Sequence, residues 1–293
     1  MLLIGIKLTL EELLNNAGIN NISHHIVSRM RTRFGNMVIQ AVNEQSPTVA
    51  LEAYNNTLNL PQTETMQQLL IEGYQMDGAW NSCENITICF HGSVPCLLKY
   101  LRPTEAERAT KFKDSVGDYL HPHFTSFVLK TATEKVYMIM PLYVSSLELI
   151  SILSIESGVT LMDHMLSAID FIHSKGFNHM DIKPSNICVN ERGNYILVDL
   201  GSIVLKKEYS ESTTVYVPPD FQPRKPSNPT SNRYIADNLI DFWMLGMTIV
   251  EKVFQVPIGD TKSSPKCQEV LDILKQQSNF RVLVERIENI NTV

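Results

Sequence analysis

The chain is short of several features, and each shortage narrows what it can be. Its 293 residues carry 25 Lys and Arg against 31 Asp and Glu, a formal charge of −6. With a pI near 5.8, no basic excess supports a nucleic-acid-binding face. No apolar run approaches the about 18 residues that a membrane helix needs. Met1 to Ile6 is apolar, but Lys7 and Glu11-Glu12 cut it short, so no signal peptide is expected. The five cysteines (83, 89, 96, 188 and 267) lack metal-ligand spacing. Their odd number, mostly on or beside expected strands, fits reduced thiols in a cytosol-like compartment. What the chain does have is 44% hydrophobic residues, enough to bury a sizeable core in one or two domains.

Chemistry concentrates in two short stretches. His179-Met180-Asp181-Ile182-Lys183-Pro184-Ser185-Asn186 is followed by Val198-Asp199-Leu200-Gly201. They hold two acids, an amine and an amide at fixed spacing. Phosphoryl transfer from a metal nucleotide needs such a set: one carboxylate to orient the attacking hydroxyl, a lysine to steady the moving phosphoryl, and an amide with a second carboxylate to hold magnesium. The local context is ordered. Leu161 to His173 repeats apolar residues at helical spacing, and Ser174-Lys175-Gly176 stops that helix. Ile187 to Val189 and Tyr195 to Val198 read as strands around the turn Asn190 to Asn194. The two stretches resemble the catalytic loop (H-R-D-x-K-x-x-N) and metal-binding loop (D-F-G) of eukaryotic-type protein kinases.

The resemblance extends outward. Tyr216-Val217-Pro218-Pro219-Asp220 is similar to the Y-x-A-P-E that closes an activation segment, with Pro for Ala and Asp for Glu. Asp241-Phe242-Trp243-Met244-Leu245-Gly246 resembles the D-x-W-S-L-G opening the long buried helix of the large lobe, where Asp241 would support the catalytic loop. Lys135 to Tyr143 resembles the last small-lobe strand and the hinge. Met140 would guard the back of an adenine pocket, Pro141 would offer its carbonyl and Tyr143 its N–H. Asn85 to Phe90 and Val94 to Leu101 read as a hairpin, with Lys99 in a stretch like V-A-I-K; it would pair with the α- and β-phosphates, the plainer alternative being an exposed strand lysine.

Departures from the pattern are informative. Where the family has three glycines in its phosphate loop, only Gly78 stands here, either as the middle glycine or in a plain turn beside Trp80. The acid that should pair with Lys99 is not assignable between Asp114 and Glu107, on a helix expected from Thr104 to Leu120 with a capping box at its start. His121-Pro122-His123-Phe124 resembles the H-P-x-I after that helix. Asp220 would need a basic partner, Arg281 or Arg286. Met180 replaces the arginine that binds a phosphorylated activation loop, so activity without that phosphorylation is implied, with Ser212, Thr213 and Thr214 as modifiable residues.

The resemblance therefore implies an α+β, bilobal protein-kinase-like fold. Residues 1–72 would form a mostly helical N-terminal extension, 73–143 a small β-rich N-lobe and 144–293 a shortened, helical C-lobe. It implies an enzyme, a Ser/Thr-type kinase using ATP and Mg²⁺, since Lys183 is similar to the Ser/Thr branch. Asp181 and Lys183 would be catalytic. Lys99, Gly78, Met140, Pro141, Tyr143, Asn186 and Asp199 would bind the nucleotide, with Asn186 and Asp199 on the metal. The alternative is a pseudokinase acting as a nucleotide-binding or scaffolding module. A protein substrate is the expected partner, with no nucleic acid and no membrane span. Arg29, Arg31 and Arg33 make either a solvated helix face or a docking surface for an acidic protein partner of the extension. The expected location is cytoplasmic, in the host if the source is a pathogen. Arg224 and Lys225 lie in a loop that could favour acidic substrates or simply be solvated.

Overall fold

Five antiparallel strands build the first of two units in this computed structural model, which describes residues 74–76, 86–91, 94–132, 135–218, 233–258 and 267–288. These are β1 (Tyr74–Met76), β2 (Ile86–His91), β3 (Val94–Leu101), β4 (Val128–Ala132) and β5 (Lys135–Pro141), in the order β1-β2-β3-β5-β4. The expected hairpin is β2–β3. Register places Lys99 opposite Met138, and Leu97 opposite Met140. Side chains alternate across a strand, so Lys99 and Met140 share one face of the sheet. Leu98 and Ile139 are buried on the other face against Cys96 and Tyr137.

The second unit takes in described residues 102–126 and 143–288. It begins with helix α1 (Pro103–Val116). Pro103 sits at the first helical position, where its missing N–H costs nothing and its fixed φ fits, so the capping interaction forms two residues earlier than Thr104 suggests, with Glu105 accepting the Arg102 N–H. The helix stops at Gly117, whose φ of 60° few other residues adopt, rather than running on to Leu120. Phe112 fixes α1 to the rest of the unit. It is fully buried, with ring centroids 5.5, 6.5 and 5.2 Å from Phe124, Phe171 and Phe177.

Helix α2 (Ile155–Ser174) starts a turn and a half before the apolar pattern shows it, capped by Ser154, whose side chain accepts the Ser157 N–H. Gly158 is there because the helix passes close to Val253, whose Cγ2 would lie 2.5 Å from an added Cβ. Strand β8 (Ile187–Val189) pairs with β9 (Tyr195–Leu197) and with β6 (Ser145–Ser146). Asn190 Oδ1 closes the hairpin turn by accepting the Arg192 and Asn194 N–H groups at 3.0 and 2.9 Å. Strand β7 (Phe177–Asn178) pairs with β10 (Val204–Leu205), and β11 (Tyr209–Glu211) with β12 (Arg233–Ile235).

Helix α3 (Asn238–Lys252) is buried almost all round, as an apolar sequence on every face requires. Helices α4 (Cys267–Lys275) and α5 (Arg281–Glu288) close against it at Gly246, where an added Cβ would meet Ile287 and Leu274 side chains at 3.2 and 3.4 Å. Among the described residues, no helix is long and apolar enough to cross a membrane.

Three histidines fasten the loop after α1 to α2 and β9. His123 and His164 stack with centroids 3.8 Å apart, and His121 stacks on Phe171 at 4.9 Å. His164 Nδ1 accepts the Tyr195 N–H, and His121 Nδ1 the His123 N–H, each at 3.2 Å. Both nitrogens must keep a lone pair, so both rings are neutral in the fold. Burial, helped by the neighbouring His123, pushes His164 down to about 4 and lowers His121. The unfolded chain protonates these rings from about pH 6.5 downward, so it binds more protons than the fold between 6.5 and 4. Stability is therefore complete above that window and falls as pH drops through it, for half-buried His164 by on the order of 1–2 kcal/mol after solvent screening. The expected result is a melting temperature that declines from pH 7 to pH 4.5 more steeply in wild type than in His164→Asn, which keeps an acceptor near Nδ1 but does not titrate. Parallel declines would exclude His164 as the cause.

Candidate active site

The loop from His179 to Asn186 runs between β7 and β8 and is held from below by one carboxylate. Asp241, in the first turn of α3, is fully buried. Its Oδ2 accepts the His179 N–H at 2.9 Å and lies 2.8 Å from His173 Nε2; its Oδ1 accepts the Met180 N–H at 2.8 Å. Burial alone would raise this carboxyl. The hydrogen bond and charge of His173, with His179 and the Met180 N–H, outweigh it and hold the group below the usual carboxylate range. Met180 takes a φ of 67°, a left-handed conformation that costs a non-glycine residue roughly 1–2 kcal/mol. Both flanking peptides are pinned: the N–H by Asp241, and the C=O by the Ser212 hydroxyl at 2.6 Å. This agrees with the supporting role expected for Asp241.

Beyond that strained residue, Asp181, Lys183 and Asn186 come together. Asp181 Oδ2 lies 2.9 Å from Lys183 Nζ and accepts Asn186 Nδ2 at 2.8 Å. The same Nδ2 donates to the Asp181 carbonyl at 2.8 Å, fixing the amide's orientation. Thr213 completes the cluster. Its hydroxyl donates to Asp181 Oδ1 at 2.6 Å and accepts from Lys183 Nζ at 2.8 Å, and its N–H points at the same carboxylate oxygen at 3.3 Å. The arrangement already sets a hydroxyl proton on Asp181 with a cation beside it. Sequence reasoning placed Thr213 only in a run of three modifiable hydroxyls.

The second loop is tied to the first. Val198 N–H donates to the Asn186 carbonyl at 2.9 Å, and His179 Nε2 donates to the Val198 carbonyl at 3.1 Å. Asp199 has a φ of 67°, and its Oδ1 accepts the Gly201 N–H at 2.9 Å. With Nδ2 of Asn186 turned to Asp181, its Oδ1 is the atom it can give to a cation. An amide oxygen and a carboxylate oxygen are hard donors suited to Mg²⁺, which takes one or two protein oxygens and completes its shell with phosphates and water. Among the described residues no cluster of three or more His, Cys, Asp and Glu could hold a metal. The residues present therefore fit a magnesium ion shared with a nucleotide and not an all-protein metal cage.

The remaining expected residues are distributed as follows. Lys99 and Met140 share a face of the five-stranded sheet, and Pro141 ends β5. Tyr143, in the larger unit, donates its hydroxyl to Thr125 Oγ1 at 2.9 Å; burial pushes its phenol up to about 12. Gly78 and Asp220 lie outside the described residues, as do residues 1–72 and the loop around Arg224 and Lys225. Asp114 is exposed, and Glu107 pairs with Lys111 at 2.9 Å on its own helix. The buried acid of α1 is Glu105. It accepts the Arg102 N–H at 2.9 Å and the Arg102 guanidinium at 3.1 Å. Its hydrogen bond and charge raise the Arg102 pKa, with smaller additions from Glu211 and Asp199, so Arg102 stands in the field of the Asp199 carboxylate. Arg286 reaches Asp170 at 2.9 Å and Arg281 reaches Glu285 at 2.7 Å. The activation-segment end is anchored by the Tyr216 hydroxyl on Glu251.

A buried helix supports one loop, and a hairpin joins that loop to a second, so that Asp181, Lys183, Asn186 and Asp199 follow in order within an α+β unit. The "Protein kinase domain" family model matches residues 111–291, and the chain belongs to that family. The match begins inside α1, so β1 to β3 lie before it. The chain is 29% identical over 110 residues to the serine/threonine-protein kinase TOS3 of Saccharomyces cerevisiae, covering 34% of this chain and 19% of that one. It is 33% identical over 88 residues to the serine/threonine-protein kinase PknD of Chlamydia trachomatis, covering 30% and 9%. It is 28% identical over 137 residues to CBL-interacting protein kinase 1 of Oryza sativa subsp. japonica, covering 43% and 29%. The chain thus spans less than a third of the length of these curated relatives.

Replacing Asp241 by Asn keeps the shape but loses the charge and one of two acceptor oxygens. A buried N–H of the catalytic loop is then left without a good acceptor. The expected cost is about 3–5 kcal/mol of stability, read as a lower midpoint in urea unfolding with an unchanged m-value. A midpoint within error of wild type would show that the loop does not depend on this carboxylate.

Proposed function

We propose that the chain is an ATP- and Mg²⁺-dependent protein kinase that transfers the γ-phosphoryl group to Ser or Thr hydroxyls of a protein substrate. The observation that carries this reading is the cluster of Asp181, Lys183, Asn186 and Thr213, linked through the Val198 N–H to the loop of Asp199. Asp181 orients the acceptor hydroxyl and takes its proton as the new O–P bond forms and the bond to ADP breaks. Lys183 neutralises charge on the transferred group. Asn186 and Asp199 would hold Mg²⁺, which when bound supplies charge stabilisation at the phosphates. Lys99 would steady the α- and β-phosphates, and Met140, Pro141 and Tyr143 would line the adenine site, with residues 73–143 as the N-lobe and 144–293 as the C-lobe.

We also infer that activation-loop phosphorylation is not required. Buried Met180 cannot pair with a phosphate. The segment is held without a phosphate by other contacts: Ser212 to the Met180 carbonyl, Thr213 to the Asp181 carboxylate, and the pairings of β10 with β7 and β11 with β12.

The test is transfer from γ-labelled MgATP to generic protein acceptors by wild type, Asp199→Ala and Asp181→Asn. Label on Ser or Thr is expected in wild type, background alone in Asp199→Ala, and a roughly 10²–10⁴-fold lower rate in Asp181→Asn. No transfer by wild type with MgATP still bound would turn the reading to a pseudokinase. Phosphatase treatment of active protein is expected to leave its rate unchanged; a rate that vanishes and returns on rephosphorylation would overturn the second inference.

A further inference from the structure

Arg108 lies on α1, one turn before the buried anchor Phe112, and it leaves its own helix. Nη1 donates to the Gly201 carbonyl at 3.3 Å, and Nη2 to the Tyr209 carbonyl at 3.2 Å. Gly201 is the residue whose N–H is bound to Asp199 Oδ1. One guanidinium therefore grips the carbonyl of the residue whose N–H orients the Asp199 carboxylate, and at the same time the strand eight residues on. The neighbouring Ser210 hydroxyl closes the same loop from inside by donating to the Ser202 carbonyl at 2.6 Å.

We propose that Arg108 is a positioning residue for Asp199: it fastens the metal loop and β11 to α1 in the unphosphorylated chain. The proposal rests on the reading of Asp199 as a magnesium-holding carboxylate. A planar fork with two separate NH₂ groups suits two carbonyls from different segments, whereas a lysine ammonium is a compact point charge that reaches one of them well. The strut is stiff because Phe112 is locked among three aromatic rings. No phosphate is needed, because both acceptors are backbone carbonyls.

The test compares wild type with Arg108→Met, which keeps an apolar stem, and Arg108→Lys, which keeps the charge. Lys111→Ala, on the exposed side of α1, controls for loss of a helix cation. In metal-free, nucleotide-free protein, amide exchange over residues 200–211 is expected to quicken in Arg108→Met and less so in Arg108→Lys, with α2 and α3 unchanged. The Mg²⁺ concentration giving half-maximal transfer is expected to rise roughly tenfold in Arg108→Met, the usual scale for losing an outer-shell partner of a metal ligand. Lys111→Ala should match wild type in both. Exchange and Mg²⁺ dependence like wild type in Arg108→Met would overturn the proposal, and Arg108→Lys decides it if Arg108→Met does not fold. A wild type that shows no transfer would sink the kinase reading, while the exchange experiment still judges Arg108.

Discussion

A single buried carboxylate sets the terms for the larger unit. Asp241 has no exposure, and it sits in a helix that is buried almost all round. Placing a charge there costs several kcal/mol unless it is fully hydrogen-bonded. The fold meets that cost with His173 from α2, two N–H groups from the catalytic loop, and a place in the first turn of α3, where the helix dipole favours an anion. Three elements are thereby fixed relative to one point. Asp241 also holds the strained backbone of Met180, whose N–H it accepts while that residue is left-handed. That conformation in turn points Asp181 toward Lys183 and Thr213.

Much of this was readable because the chemistry is local. Asp181, Lys183 and Asn186 fall within six residues, and the hairpin that carries Asp199 beside them is short. Asp241 was readable from its aromatic and glycine neighbours, and Gly246 has a packing reason at the α4 and α5 contact. Contacts across long sequence distance were not readable. Ser212, Thr213 and Thr214 look alike in a row. Only the folded chain gives Ser212 to the Met180 carbonyl and Thr213 to Asp181, while Thr214 Oγ1 is buried without a hydrogen bond. His164 carries no sign that it will stack on His123. Arg108 looks like any cation on an amphipathic helix. The capping-box signal at Thr104 was real in kind and misplaced in register, since Pro103 decides where the helix can start.

If activation-loop phosphorylation is not required, as we infer, Met180 and Arg108 together account for how the segment would be ordered without a phosphate. Position 180 is fully buried. An arginine there would be an unpaired buried cation until a phosphate arrived, and an uncompensated buried charge is among the most costly features a fold can carry. Such a residue makes order conditional on modification. Methionine removes the condition, and it also removes the cation that would have held the segment. The holding force must then come from groups satisfied at all times. Here they are three hydroxyls, of Ser210, Ser212 and Thr213, and one guanidinium on a rigid helix. The Ser210 and Ser212 hydroxyls and their carbonyl acceptors do not titrate near neutral pH, and the Arg108 guanidinium keeps its charge throughout that range. The active arrangement is then set by packing of α1 through Phe112. On the proposed reading, control of this chain would act on that helix or on access to the site.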